Sequence, residues 1–316
     1  MQGGTPSPRT DMQNLPQKVS PFNFHANRGF SERNRLATLE TLRHTVPTST
    51  INVAHELAID IGGMPILVRT DSREFAGLLK DRYGTFVIPN AKDAIFALDV
   101  ELVPPGLVSE VEDVCVRVDS RHWVMERGDF RAELDPERCQ GWVRQTANPY
   151  SIDSVLRILH SLILAREGGF LVHAASAVRN GRAFLFAGVS GAGKTTLSRL
   201  APPDVALLTD EISYVRRQES GYEAFGTPFA GELARIGENL RAPVTALYFL
   251  AQGPENRIEP VGNADAARAL LQNILFFAKD AELVRLVFQS AFDFANRVPA
   301  YRLVFTPDAR VWELLV

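Results

Sequence analysis

Cysteine is nearly missing from this 316-residue chain. Cys115 and Cys139 are too few to staple a core and lack metal-ligand spacing, so both are expected to be free thiols in a reducing compartment. Long apolar runs are missing too. The most hydrophobic stretch, 155–172, is broken by Arg157, His160, Arg166 and Glu167, and no charged start followed by an apolar run opens the sequence. The expectation is a cytoplasmic protein with no membrane partner. Positive charge is not in excess either. Lys and Arg number 34 against 37 Asp and Glu, a net charge of −3, so no global field favours nucleic acid.

What is present suffices for a sizeable core, since 46% of the residues are hydrophobic. Residues 1–48 are rich in Pro, Ser, Thr, Asn and Arg without sustained apolar periodicity, and are expected to form a disordered arm. Residues 49–150 then read as a small strand-rich α+β domain. Its expected strands are 57–61, 65–69 after the Gly62-Gly63 turn, 95–100 and 114–118, followed by a hairpin around 127–129. One helix interrupts them, with Asp71 as its cap and Glu74 three residues on. A second helix, capped by Ser151 and ended by Gly168-Gly169, presents Val155, Leu156, Ile158, Leu159, Leu162 and Ile163 to a core.

Residues 151–316 read as an α/β domain with a mixed sheet. Its apolar runs 170–178 and 183–188 are separated by Asn180-Gly181, the strongest short hairpin signal available. The second run leads into Gly188-Val189-Ser190-Gly191-Ala192-Gly193-Lys194-Thr195, followed by the helix-forming Thr196. Strand, glycine-rich loop, Lys-Thr and helix together form a phosphate-binding loop. The glycines let backbone N–H groups turn towards phosphate oxygens, Lys194 reaches the β and γ phosphates, and Thr195 offers its hydroxyl to Mg²⁺. ATP with Mg²⁺ is the expected ligand pair. An apolar strand after the loop ends at Asp210-Glu211, where open α/β sheets collect ligands. One carboxylate there can bind Mg²⁺ while the other accepts the proton of an attacking hydroxyl. Glu232, in the Gly- and Pro-containing segment 225–232, is a third candidate metal ligand. Further strands are expected at 244–250 and 301–305, helices near Asn263 and Asp280, and a terminal helix.

These residues resemble the C-terminal catalytic domain of HPr kinase/phosphorylase, within the PEP carboxykinase-like phosphate-loop proteins, mainly over 165–260. The resemblance implies a PEP carboxykinase-like domain in which a β-hairpin feeds the loop. It gives His173 a functional role before the loop, makes Asp210 the base that activates a seryl hydroxyl, and sets Glu211 and Glu232 near the metal. Ala174 stands where the family usually has Gly, and Glu211 replaces a second Asp. The segment after Glu232 departs from the signature linked to the reverse reaction, so action on HPr itself is not implied. Related proteins that phosphorylate a precursor peptide on serine suggest one acceptor class.

Three functions remain open: a serine kinase acting on a protein or peptide, a small-metabolite kinase, and a nucleotide-sensing module without transfer. A homo-oligomer is also left open.

Overall fold

The computed structural model describes residues 54–105, 113–119 and 122–315. The arm expected over 1–48 lies outside them. The described chain is mixed α and β, dominated by strands in two mixed sheets.

The first sheet holds β1 (His55–Ile61), β2 (Met64–Thr70), β3 (Val87–Ile88), β4 (Phe96–Leu102), β5 (Cys115–Val118), β6 (Trp123–Arg127), β7 (Phe130–Asp135) and β8 (Gln140–Gln145), in the order β3-β1-β2-β4-β8-β7-β6-β5. Period-two alternation sets its faces. Ile59, Ile66, Val68, Leu98, Val100, Ala132 and Leu134 are buried on one side. The other side carries cross-strand ion pairs such as Arg69–Asp99 and Arg144–Glu101. One face is therefore packed and the other solvated, as antiparallel-rich sheets allow.

Helices α1 (Arg73–Tyr83) and α2 (Pro149–Glu167) pack on the buried face. Both are capped one or more residues away from the positions expected. The cap of α1 is Ser72, not Asp71: its backbone is still extended, and its hydroxyl accepts from Phe75 N at 3.2 Å, the third helical N–H. The cap of α2 is Asn148, because Pro149 is preorganised for the first helical position. Ser151 instead lies inside the helix and donates to Asp129 at 2.7 Å. Gly168, with φ of 77°, ends α2 as expected.

The second sheet comprises β9 (Phe170–Arg179), β10 (Arg182–Ala187), β11 (Ala206–Thr209), β12 (Ile212–Gln218), β13 (Gly221–Phe225), β14 (Arg241–Gln252), β15 (Arg257–Val261), β16 (Ile274–Leu275) and β17 (Ala300–Phe305). Its helices are α3 (Lys194–Arg199), α4 (Asn263–Leu271) and α5 (Ala281–Arg297). Strand β10 lies antiparallel to β9 and parallel to β14, which lies parallel to β17. The expected terminal helix is the 3-10 helix Ala309–Leu314. No helix among the described residues is long and apolar enough to cross a membrane.

The sheets lie within one compact unit. One apolar cluster runs from Ile59 and Trp123 through α2 to Tyr214, Phe229 and Val287, so residues from both sheets share it. Across it runs a polar stripe on α2. Asp153, Arg157 and His160 recur at helical spacing on one face. Asp153 accepts from Tyr83 Oη at 2.6 Å and pairs with Arg82. His160 Nδ1 lies 3.1 Å from Tyr214 Oη on β12, and nearby Arg216 donates to Gly62 O at 2.7 Å. The stripe thus links the first sheet to the second.

His160 is fully buried, and its Nε2 has no hydrogen-bond partner among the described residues. Burial, with Arg216 adding like charge, lowers its pKa to about 3. The unfolded chain takes up this proton near pH 6.5, well before the folded one, so stability falls as pH drops from there towards 3. Urea unfolding at about pH 7.5 and about pH 5 is expected to show a loss of ~2 kcal/mol from this group. His173 acts in the same direction, so comparison with His160→Gln isolates the term: the variant should show a smaller loss.

Candidate functional site

The register of β9 assembles the site. On one edge Ala174 pairs with Ala187, the last residue of β10, and on the other His173 pairs with Ile212, the first residue of β12. The loop beginning at Gly188 and the acids Asp210-Glu211 must therefore flank His173. The β9–β10 connection is Asn180-Gly181, both at positive φ, 53° and 73°, which are the torsions a tight two-residue hairpin requires.

Loop 188–195 folds back on its own lysine. Lys194 is only 7% exposed, and its Nζ donates to Gly188 O at 2.8 Å and lies 3.4 Å from Val189 O. Gly193, at φ of 109°, caps α3, and a Cβ there would fall 2.6 Å from Phe305 Cζ; both conformation and space demand glycine. Thr195 and Thr196 are partly buried in the first turn of α3, whereas Val189, Ser190 and Gly191 form the exposed tip. Behind the loop, Ala192 and Leu197 enter a small core with Phe305 and Trp312. Trp312 also donates to Leu197 O at 3.1 Å, buttressing the short α3.

The paired acids play different parts. Asp210 is 4% exposed; its Oδ1 accepts from Gly231 N at 3.0 Å and its Oδ2 from Leu233 N at 2.9 Å. It thereby pins loop 226–240. The loop comes so close that a Cβ on Gly231 would meet Glu211 Cβ at 2.7 Å and Asp210 Oδ2 at 2.8 Å. Glu211 makes no comparable backbone contact through its side chain among the described residues, and its carboxyl is held above the usual range. Burial is the main cause, reinforced by Asp210 and Glu232 and opposed by Lys194 and Arg157.

His173 Nε2 lies 3.7 Å from Glu211 Oε1. This is not an ion pair at neutral pH. Burial and then Lys194 lower the His173 pKa to about 4, so a neutral imidazole faces the carboxylate. Lys194 is itself lowered by burial, against the pull of Glu211 and Glu232.

Among the expected site residues, His173, Lys194, Asp210 and Glu211 are thus brought together. Glu232 is exposed on loop 226–240, with its charge felt at Lys194 and Glu211. Among the described residues, no three His, Cys, Asp or Glu side chains gather as a metal cage. Arg241 is exposed and 3.8 Å from Glu223, and exposed Arg235 lines a small cavity with Asp210.

Two residues escaped the sequence reading. Arg157 lies 4.8 Å over the Phe229 ring, with its Nε buried and unpartnered among the described residues; burial lowers its pKa against the attraction of Asp153, Tyr83 and Glu211. In sequence it reads as a break in an apolar run. Only its helical spacing from Asp153 and His160 signals a buried polar stripe. The other is Gln252, at the end of β14, which donates to Gly191 O at 2.8 Å.

Asp210→Asn tests the anchoring role. The amide can accept from one backbone N–H but turns its own N–H groups on the other, leaving a buried donor unsatisfied. A loss of about 1–3 kcal/mol in chemical unfolding is expected without any ligand present. Unchanged stability would mean that the carboxylate does not hold the loop.

No curated protein matches the chain. Residues 144–315, which include α2, loop 188–195, the paired acids and the 3-10 turn behind α3, match the model of the family described as SynChlorMet cassette protein ScmC. The match covers more than half of the 316 residues, and the chain belongs to the SynChlorMet cassette protein ScmC family.

Proposed function

We propose that the protein is an ATP-dependent phosphotransferase on a PEP carboxykinase-like phosphate-loop fold. It moves the γ-phosphoryl group to a hydroxyl, foremost a serine of a protein or peptide. The observation that carries this reading is the buried Lys194 ammonium, held by carbonyls of its own glycine-rich loop and within the field of Glu211. An ammonium has three N–H donors. The loop carbonyls engage it from one side and leave donor capacity for phosphate oxygens. The antiparallel pairing of β9 with β10, the strand that enters the loop, supports this fold over the parallel βαβ entry of small-metabolite kinases.

The donor types fit Mg²⁺, a hard cation that takes oxygen ligands and fills its remaining positions with water and phosphate oxygens. The Thr195 hydroxyl and Glu211 carboxylate would hold it, with Glu232 available on loop 226–240. When bound, it would offset the charge of the transferred group. A cage of three protein acids is not required.

Phosphoryl transfer asks the protein chiefly for positioning and electrostatic stabilisation. Lys194 supplies positive charge at the loop. His173, neutral at pH 7, can accept a hydrogen bond from an incoming hydroxyl and orient it. The resemblance assigns the base to Asp210, but its two backbone N–H bonds favour a positioning role: it shapes the loop around the acceptor side.

The test is incubation with γ-labelled ATP and Mg²⁺ against HPr, a panel of peptides and a metabolite extract. Label on one acceptor, reduced at least about 100-fold by Lys194→Ala, is expected. ATP binding without transfer to any pool would contradict transfer and favour nucleotide sensing. In the free protein the raised Glu211 carboxyl must lose its proton before it can take Mg²⁺, so the affinity for MgATP should weaken on acidification at a higher pH than an ordinary carboxylate would give. Glu211→Gln should remove this acid limb from the residual affinity.

A further inference from the structure

We propose that the cleft between the first turn of α3 and the ends of β14 and β17 is the subsite for the base and ribose of the nucleotide. The proposal rests on the reading above, that a triphosphate sits at loop 188–195. The cleft measures about 500 Å³, within the ~300–1,000 Å³ typical of small-molecule sites.

Three observations converge on it. It opens where the parallel strands β10, β14 and β17 end, the side on which open sheets bind ligands. It is also continuous with the glycine-rich loop. Gly193 caps α3 and lines the cleft, and Gln252, another lining residue, donates to Gly191 O at 2.8 Å. A ligand that fills the cleft would abut Gly193, the residue next to Lys194.

The third observation is the chemistry of the walls. Phe305 is buried beneath the cleft, Pro254 and Pro307 are exposed on it, and Thr196 and Gln252 supply polar groups. None of the lining residues is charged, and Lys194, Glu211 and Arg157 are not among them. Such walls cannot neutralise phosphates but suit a flat, uncharged ring with a polar edge. The charged groups lie at the loop and acids, the uncharged surface in the cleft. That division matches a ligand with an anionic chain and a neutral heterocycle. A carboxamide such as Gln252 both donates and accepts, so the cleft should hold adenine and guanine with little preference.

The full-length protein is photolabelled with 8-azido-ATP and Mg²⁺ and the adducts are mapped, while affinities for ATP and inorganic tripolyphosphate are measured by calorimetry. Adducts protected by excess ATP are expected in peptides containing 252–254 or 305–307. ATP should bind at least about tenfold more tightly than tripolyphosphate. Protected adducts elsewhere, or equal affinities, would overturn the cleft assignment while leaving the phosphate-binding loop standing. Binding of neither compound would overturn both.

Discussion

The site depends on how one strand is paired. β9 is ten residues long and has different neighbours along its length. At residues 173 and 174 it meets the end of β10 on one edge and the start of β12 on the other. A shift of one residue would turn His173 to the opposite face of the sheet and alter its alignment with the loop and the acids. Asn180-Gly181 protects this alignment, because a tight two-residue turn leaves the β9–β10 pairing little freedom to slip.

Assembling these charges in a half-buried site is unfavourable, and the directions of the pKa shifts show which effect dominates. Lys194 and Glu211 attract one another, yet the ammonium is lowered and the carboxyl raised: each is pushed towards neutrality. Desolvation therefore outweighs mutual attraction at both ends. The structure offsets part of this with loop carbonyls on Lys194, and it holds Glu211 beside a neutral His173, with Arg157 adding to the positive field of Lys194. Asp210 is treated differently: backbone N–H groups satisfy both of its oxygens and make it part of the scaffold. Neighbouring acids in one sequence have thus acquired unlike environments.

Local signals made part of this legible in the sequence. The Asn180-Gly181 turn, the strand leading to Gly188, and the strand ending before Asp210 all lie where turn chemistry and apolar runs put them. Strands β3, β8, β12, β13, β15 and β16 are not among those expected from the sequence. β16 is only two residues long, and β12 ends in Arg216-Arg217-Gln218, which hides its buried first half. The turn between β12 and β13 is Glu219-Ser220, which carries none of the usual hairpin signals. The starts of α1 and α2 differ from the sequence expectation for a related reason, whereas α4 and α5 begin at Asn263 and after the cap Asp280 as expected. Several polar residues near each start could cap, and only the backbone determines which hydroxyl or amide reaches a free N–H. Arg157 and Gln252 act through tertiary contacts that periodicity alone cannot reveal, while the unlike environments of Asp210 and Glu211 arise from a loop twenty residues further along the chain.

The central claim is that loop 188–195 with Lys194 binds a nucleoside triphosphate, and ligand-dependent stability tests it most directly. A ligand that binds only the folded state raises stability by about 2.7 kcal/mol at a hundredfold excess over its Kd. The midpoint of thermal unfolding of the wild-type protein should rise steadily with MgATP concentration, and that of Lys194→Ala should stay level over the same range. Equal rises in both proteins, or none in the wild type, would contradict the account.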